Sequence, residues 1–173
     1  MSDVDAPCEV CGFVRRDVGG DVSARVRAAV DGLVRVLRDN ADVATRRPSP
    51  ERWSALEYGA HVRDVLISLR ERTLTASIED RPTGQPIHRD ERVDLGFYAL
   101  DTVPDVAREL ADAASLLLRT FDALPEGFAR RRLLYSPVTP VEVTVAWLGT
   151  QAVHESEHHL LDATTNLTLL RAQ

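Results

Sequence analysis

The chain has 173 residues, of which 44% are hydrophobic and 28% charged, and its formal net charge is −6 at pH 7. This length is sufficient for one domain with a buried core, and the composition is typical of a globular protein. No apolar run is long enough to span a membrane, and the negative charge argues against nucleic acid as the main partner. Residues 1–20 lack the apolar segment of a secretory signal, so we expect a cytoplasmic protein.

The first 20 residues form an irregular segment that contains Cys8 and Cys11 in the sequence CEVCG. A CxxCG turn supplies half of a four-ligand zinc site, and two more ligands are then needed. The sequence has no second CxxC pair, so a four-cysteine site would require a second chain and a homodimer. Free thiols in this segment are the simplest alternative. A redox pair is the third, although the motif lacks the preceding strand and following helix of thioredoxin-like sites.

Two long helices are predicted in the first half of the chain. Apolar residues recur at helical spacing over 21–45, and Pro48 and Pro50 cannot continue that helix. Ser54 followed by Glu57 three residues later has the pattern of a capping box. This pattern predicts a second helix that begins after Ser54 and ends near residue 77.

The middle of the chain predicts a long connection and a third helix. Residues 80–98 are polar and rich in turn-forming residues, so we expect an irregular connection there. Apolar residues then follow one helical stripe from Val106 to Phe121, and the sequence LPEG ends it. Residues 132–138 are a weak candidate for a strand.

A fourth helix is predicted to begin at Thr139, with Thr139 as N-cap, Pro140 at the first helical position and Glu142 at the third. Its pattern continues through the histidines to Leu161 or beyond. Four helices of about 20 residues predict an all-α, antiparallel four-helix bundle. We expect this bundle to form a single domain over residues 21–173, after the irregular segment 1–20.

The sequence HESEH places His154 and His158 four residues apart on this last helix. Both imidazoles leave the same face one turn apart, which is the geometry of two nitrogen ligands for one metal. Trp147, Gln151 and Leu161 share this stripe, so we expect the pair to face the bundle interior. Buried imidazoles without partners are costly, which favours a ligand role over a pair of histidines without metal.

The same letters match the HExxH motif of zinc peptidases, in which the inner Glu is a general base and a third ligand comes from downstream. Only fifteen residues follow His158, and they contain His159 and Asp162 but no Glu. We expect His159 to point about 100° away from His158. The sequence therefore disfavours a peptidase.

His61 on the second helix provides a third nitrogen upstream. By itself it is typical of a single buried, hydrogen-bonded histidine. Combined with His154 and His158, it predicts a three-nitrogen site with an open coordination position, which suits Zn²⁺ first and also Ni²⁺ or Fe²⁺.

The sequences WSALEYGAHVRD at 53–64 and HESEHH at 154–159 resemble the DinB/YfiT-like metalloprotein superfamily. The resemblance implies a four-helix bundle with one histidine from the second helix and an HxxxH pair from the last. It assigns His61, His154 and His158 as the metal ligands. Actinobacterial members are associated with transfer or isomerisation reactions that use mycothiol, a low-molecular-weight thiol.

An open position on such a metal would deprotonate a bound thiol. The chain is therefore expected to be a metal-dependent thiol S-transferase or thiol-dependent isomerase acting on a small molecule, with the thiol as co-substrate. The alternative is a metal-binding bundle without catalysis, with a role in stress or interaction.

Several carboxylates near the predicted ligands could orient an imidazole or move a proton. Asp64, Glu57 and Glu157 are the predicted catalytic residues, with Asp64 the strongest candidate. Glu155 is expected to be a solvated helix charge. His88, in the connection, is expected to be structural or solvated.

Overall fold

The computed structural model describes residues 6–136, 138 and 141–173. These residues form five α-helices and one small antiparallel sheet of two strands. The helices are α1 Val22–Asp39, α2 Ala55–Ile78, α3 Arg89–Asp94, α4 Val103–Asp122 and α5 Val145–Arg171. The strands are β1 Arg132–Leu134 and β2 Glu142–Thr144.

The four long helices α1, α2, α4 and α5 form a four-helix bundle, which confirms the predicted fold class. Both α1 and α2 pack mainly against α4 and α5, so α1 and α2 lie on a diagonal of the bundle although they are consecutive in sequence. The core between the helices is aliphatic. Its fully buried members include Leu33, Leu37, Leu66, Leu69, Leu110, Leu117 and Leu148.

The predicted capping box begins α2. The Ser54 hydroxyl accepts a hydrogen bond from the Glu57 amide at 3.2 Å, and the Glu57 carboxylate accepts one from the Ser54 amide at 2.7 Å. Two amides that lack helical partners are thereby satisfied, which fixes where α2 starts and therefore the face on which His61 lies.

The predicted start of the last helix is wrong. Thr139 and Pro140 lie outside the described residues, and Glu142 belongs to β2 and not to the first helical turn. The β-branched residues of β2 pair with β1, with Leu133 opposite Val143. Helix α5 instead begins after Thr144, whose hydroxyl accepts a hydrogen bond from the Trp147 amide at 3.1 Å.

The connection predicted over 80–98 is partly helical, because α3 and a 3₁₀ turn at Phe97–Leu100 lie between α2 and α4. Tyr98 in this turn is buried, and its hydroxyl donates to Asp64 at 3.2 Å. The segment thus covers one side of the bundle. The strand predicted over 132–138 is realised at Arg132–Leu134, and within the described ranges no helix has both the length and the apolar character to cross a membrane.

Candidate functional site

Helix α5 presents its histidines and Glu155 on two covered faces. His159 is 5% exposed and packs toward the bundle interior, whereas His154 and His158 are half-buried on the neighbouring face. The predicted interior-facing pair, His154 and His158, is therefore less buried than His159. The sequence-based stripe was misplaced because one of its apolar members, Leu161, is 49% exposed.

The inner cluster consists of His61 from α2 with Glu155 and His159 from α5. The Oε2 atom of Glu155 lies 3.5 Å from His61 Nε2 and 3.3 Å from His159 Nε2. The two imidazole rings are 4.9 Å apart and almost perpendicular. Three potential ligand atoms from two helices therefore converge on one point.

These separations fit a divalent metal better than direct hydrogen bonds. Ligand–zinc bonds of about 2.0–2.2 Å in a tetrahedral site place neighbouring ligand atoms about 3.3–3.6 Å apart. Both ring nitrogens of His61 are buried, and neither makes a hydrogen bond within the described part of the chain. Buried polar atoms without partners are rare in native proteins, so the residues fit a bound ion.

Neighbouring groups hold the inner cluster in this orientation. The Gln151 amide donates to Oε1 of Glu155 at 2.6 Å, which leaves Oε2 directed at the two histidines. Asp162 lies 2.9 Å from Nδ1 of His159, so that Nε2 faces Glu155. A carboxylate behind a histidine is the usual way to fix the tautomer of a metal ligand.

The local electrostatics favour the protonation state of a metal ligand at Glu155 and His61, but not at His159. Burial would raise the pKa of the Glu155 carboxyl, but the imidazoles of His159 and His61 hold it well below its usual range. Burial lowers the pKa of His61 despite the nearby carboxylate. Burial would also lower the pKa of His159, but the carboxylates of Asp162 and Glu155 raise it, so a metal that binds there must displace a proton.

A cavity of about 500 Å³ opens beside the inner cluster and is lined by both His61 and Glu155. Arg72 and Tyr135 also line this cavity, and the Arg72 guanidinium lies 4.3 Å from the centre of the Tyr135 ring. Arg72 is 5% exposed, and its Nε and Nη1 atoms have no hydrogen-bond partner among the described residues. His88, expected to be structural or solvated, also lines this cavity.

The outer cluster consists of Cys8 and Cys11 from the N-terminal segment with His154 and His158 from α5. All four potential ligand atoms lie within 4.8 Å of one another, and Cys8 Sγ is 3.7 Å from His158 Nδ1. The structure therefore divides the predicted ligands His61, His154 and His158 between two clusters. It brings together His154 and His158, but it places His61 with Glu155 and His159.

The geometry around Glu155 does not match that of an HExxH peptidase. In such a site the inner Glu is a general base beside the metal bound by the two motif histidines. Here Glu155 contacts His61 and His159 and is itself positioned as a ligand. Its expected role as a solvated charge is wrong, because its side chain is only 18% exposed.

The three predicted catalytic carboxylates are each engaged by arginine, and none lines the cavity beside the inner cluster. The ion pairs are Glu57 with Arg47, Asp64 with Arg63 and Arg92, and Glu157 with Arg25. Glu57 also completes the capping box of α2. These contacts satisfy the carboxylates structurally, so we assign them no step in the proposed reaction.

The residues that the sequence analysis missed share a simple spacing. Glu155, His159 and Asp162 are related by i, i+4 and i+7 and so lie on one face of α5. This signal was present in the sequence. It was masked by His154 and His158, which have the same i, i+4 spacing one residue earlier.

Comparisons with known proteins agree with this architecture. The family model described as the DinB superfamily matches residues 23–163. A solved structure of YfiT from Bacillus subtilis, described as a probable metal-dependent hydrolase with an unusual four-helix bundle topology, is similar with a TM-score of 0.77 and 16% identity, covering 96% of this chain and 92% of YfiT. No curated protein sequence matches the chain. The chain belongs to the DinB superfamily.

Proposed function

We propose that this protein is a metal-dependent enzyme that acts on a small molecule and holds a divalent ion with His61, Glu155 and His159. The observation that carries the proposal is the convergence of these three ligand atoms beside a cavity, with Oε2 of Glu155 3.5 Å from His61 Nε2 and 3.3 Å from His159 Nε2. This ligand set replaces the predicted His61, His154 and His158. Two imidazoles and one carboxylate suit Zn²⁺, and also Ni²⁺ or Fe²⁺.

An ion with three protein ligands keeps an open position, where it lowers the pKa of a thiol or a water molecule. The chain contributes the geometry around that position. Gln151 holds one oxygen of Glu155, and Asp162 holds the outer nitrogen of His159. The Nε2 atom of His159 and the free oxygen of Glu155 are thereby fixed before a substrate arrives.

Arg72 supports a substrate with an anionic group, such as a carboxylate. A buried guanidinium with unpaired N–H groups is costly unless a ligand satisfies it. Tyr135 stacks under Arg72, and Nη2 of Arg72 donates to the Gln85 carbonyl, so both contacts restrict the guanidinium on the cavity wall. A carboxylate would pair with the unsatisfied N–H groups of Arg72 while the reactive part of the same molecule lies near His61 and Glu155.

The proposed reaction is transfer of a low-molecular-weight thiol to such a substrate, or its thiol-dependent isomerisation. Hydrolysis is the second candidate, and the description of the similar YfiT structure as a probable metal-dependent hydrolase favours it. Both reactions use the same open position, with a thiol in one and water in the other. A bundle that binds metal without catalysis would not require a cavity that reaches the ligands.

The test uses untagged protein, stripped with a chelator and reloaded with Zn²⁺, Ni²⁺ or Fe²⁺. We follow the consumption of electrophiles that carry a carboxylate, with and without a thiol. The matching carboxamides serve as control substrates. We expect metal-dependent turnover that His159→Ala abolishes and that Arg72→Met weakens chiefly through KM for the carboxylate substrates. A requirement for the thiol supports transfer, whereas turnover without it supports hydrolysis. Metal bound at the inner cluster without either activity would overturn the enzyme proposal.

A further inference from the structure

The outer cluster has a complete set of four ligands that the proposed reaction does not use. Its members are Cys8, Cys11, His154 and His158, which come from two distant parts of one chain. The distance from Cys8 Sγ to His158 Nδ1 is 3.7 Å. It is close to the separation of about 3.6 Å that tetrahedral zinc imposes on a sulfur at about 2.3 Å and a nitrogen at about 2.0–2.1 Å.

The backbone around the cysteines forms a tight turn that presents both sulfurs on one side. The Gly12 amide donates to the Cys8 carbonyl at 2.8 Å, and the Cys8 amide donates to the Phe13 carbonyl at 2.9 Å. Gly12 has φ +72°, which glycine adopts without strain.

The two histidines are prepared for ligation in the same way as those of the inner cluster. Nε2 of His158 lies 3.3 Å from Asp162, which leaves Nδ1 directed at Cys8. Both ring nitrogens of His154 are buried and make no hydrogen bond within the described ranges of the chain. The Phe13 ring stacks on His154 at 4.8 Å and fixes its plane.

We propose that Cys8, Cys11, His154 and His158 form a second, structural zinc site within a single chain. Two thiolates and two imidazoles are a preferred donor set for Zn²⁺, and no position is left open for a substrate. Binding releases the two thiol protons to solvent. This structural site is additional to the proposed function. Helix α5 supplies the two ligands that the CxxCG turn lacks, so that no second chain is needed.

The site fastens the N-terminal segment to α5 beside the reactive centre. Arg15 follows the turn, lies 4.4 Å over the Trp147 ring and donates to Gln151 at 2.5 Å. Gln151 in turn donates to Glu155 of the inner cluster. Asp162 contacts one histidine of each cluster, His158 and His159. The outer zinc therefore supports the groups that orient the inner ligands without itself touching the substrate.

The first test counts metal in untagged full-length protein loaded with Zn²⁺ or Co²⁺. We expect two equivalents per chain, and with Co²⁺ a near-ultraviolet thiolate-to-cobalt charge-transfer absorption. The double variant Cys8→Ser/Cys11→Ser should lose one equivalent and this absorption, and His61→Ala should lose the other equivalent and keep the absorption. Glu9→Gln, an exposed change in the same turn, should keep both. If the double cysteine variant binds as much metal as the wild type, the second site is overturned, whatever the outcome for His61→Ala.

The second test asks whether the other ligands are the histidines of the same chain. Zn²⁺ should slow the reaction of both thiols with a thiol reagent in the wild type, and His154→Ala/His158→Ala should remove this protection in a monomer of unchanged helical content. Thiol reactivity is also measured in the wild type with and without zinc, so this test does not depend on whether the cysteine variant folds. Protection that persists in the histidine double variant, with a zinc-dependent dimer, would show that cysteines of two chains share the metal and would overturn the single-chain site. Equal thiol reactivity with and without zinc would overturn it as well.

Discussion

The inner and outer clusters use neighbouring residues of the same helix for different ends. Glu155 and His159 face α2 and a cavity, whereas His154 and His158 face the N-terminal turn and two cysteines. The inner set has three ligands, of which His61 and Glu155 line a cavity, and the outer set has four ligands, of which Cys11 and His158 line another cavity. The number of ligands, rather than access or the presence of histidine pairs, therefore distinguishes a reactive metal centre from a structural one.

Removing one histidine from each cluster in turn tests most directly whether the two clusters have different roles. His159→Ala should remove the inner ion and lower kcat/KM by more than about 100-fold, since even residues that merely orient a ligand contribute about 10–100-fold. His158→Ala should retain turnover within about tenfold, because it removes only a support. Steady-state kinetics and metal content are measured for both variants. Equal losses from both variants would mean that the two clusters do not have separate roles.

Glu155→Gln tests whether this carboxylate is a ligand or a general base. A neutral amide is a poor ligand, so we expect the inner metal affinity to fall by about 100-fold or more, while the outer equivalent stays bound. If Glu155 were a peptidase base, the variant would lose activity but keep its metal. Chelator competition and digestion of an unstructured protein substrate distinguish these outcomes, and we expect no digestion by the wild type.

Asp162 is the point where the two clusters meet, so its removal should weaken both. Asp162→Ala should reduce metal affinity about 10-fold at the inner cluster, where the contact with His159 is 2.9 Å, and less at the outer cluster, where the contact with His158 is 3.3 Å. Asp162→Asn keeps an acceptor oxygen and should restore part of each loss. Competition titrations with a chelator measure both affinities, and an effect confined to one cluster would contradict the shared role.

Glu57 belongs to neither cluster and provides a control with a small, pH-dependent effect. Burial would raise the pKa of Glu57, but Arg47 and the Ser54 amide hold it below its ordinary 4.5. A lowered carboxyl pKa stabilises the fold above the unfolded pKa, and this stabilisation is lost as pH falls through the folded pKa. Glu57→Gln should cost about 1–2 kcal/mol near pH 7 and converge with the wild type in acid, without changing kcat.

Denaturant unfolding at several pH values measures the cost of Glu57→Gln, and kinetics on the same protein measure kcat. A loss of turnover with unchanged stability would restore the catalytic role that the sequence suggested for this residue.

Much of the bundle could be predicted because its signals are local. The capping box at Ser54 and the apolar stripe from Val106 to Phe121 depend on residues within one helix, and both are present in the structure. The start of α5 could not be placed in the same way. The sequence before it satisfies helix-start rules, but pairing with β1 competes for those residues, and that partner is ten residues away.

The sequence by itself determined that α5 carries potential ligands at i, i+4 spacing, that His61 lies on another helix, and that a CxxCG turn needs two further ligands. These follow from helix periodicity and donor chemistry. The tertiary structure decided which pair meets His61 and which pair meets the cysteines. Residues 154 and 155 lie only about 100° apart around the helix axis, and the packing of α5 between α2 and the N-terminal segment decides which of them faces His61.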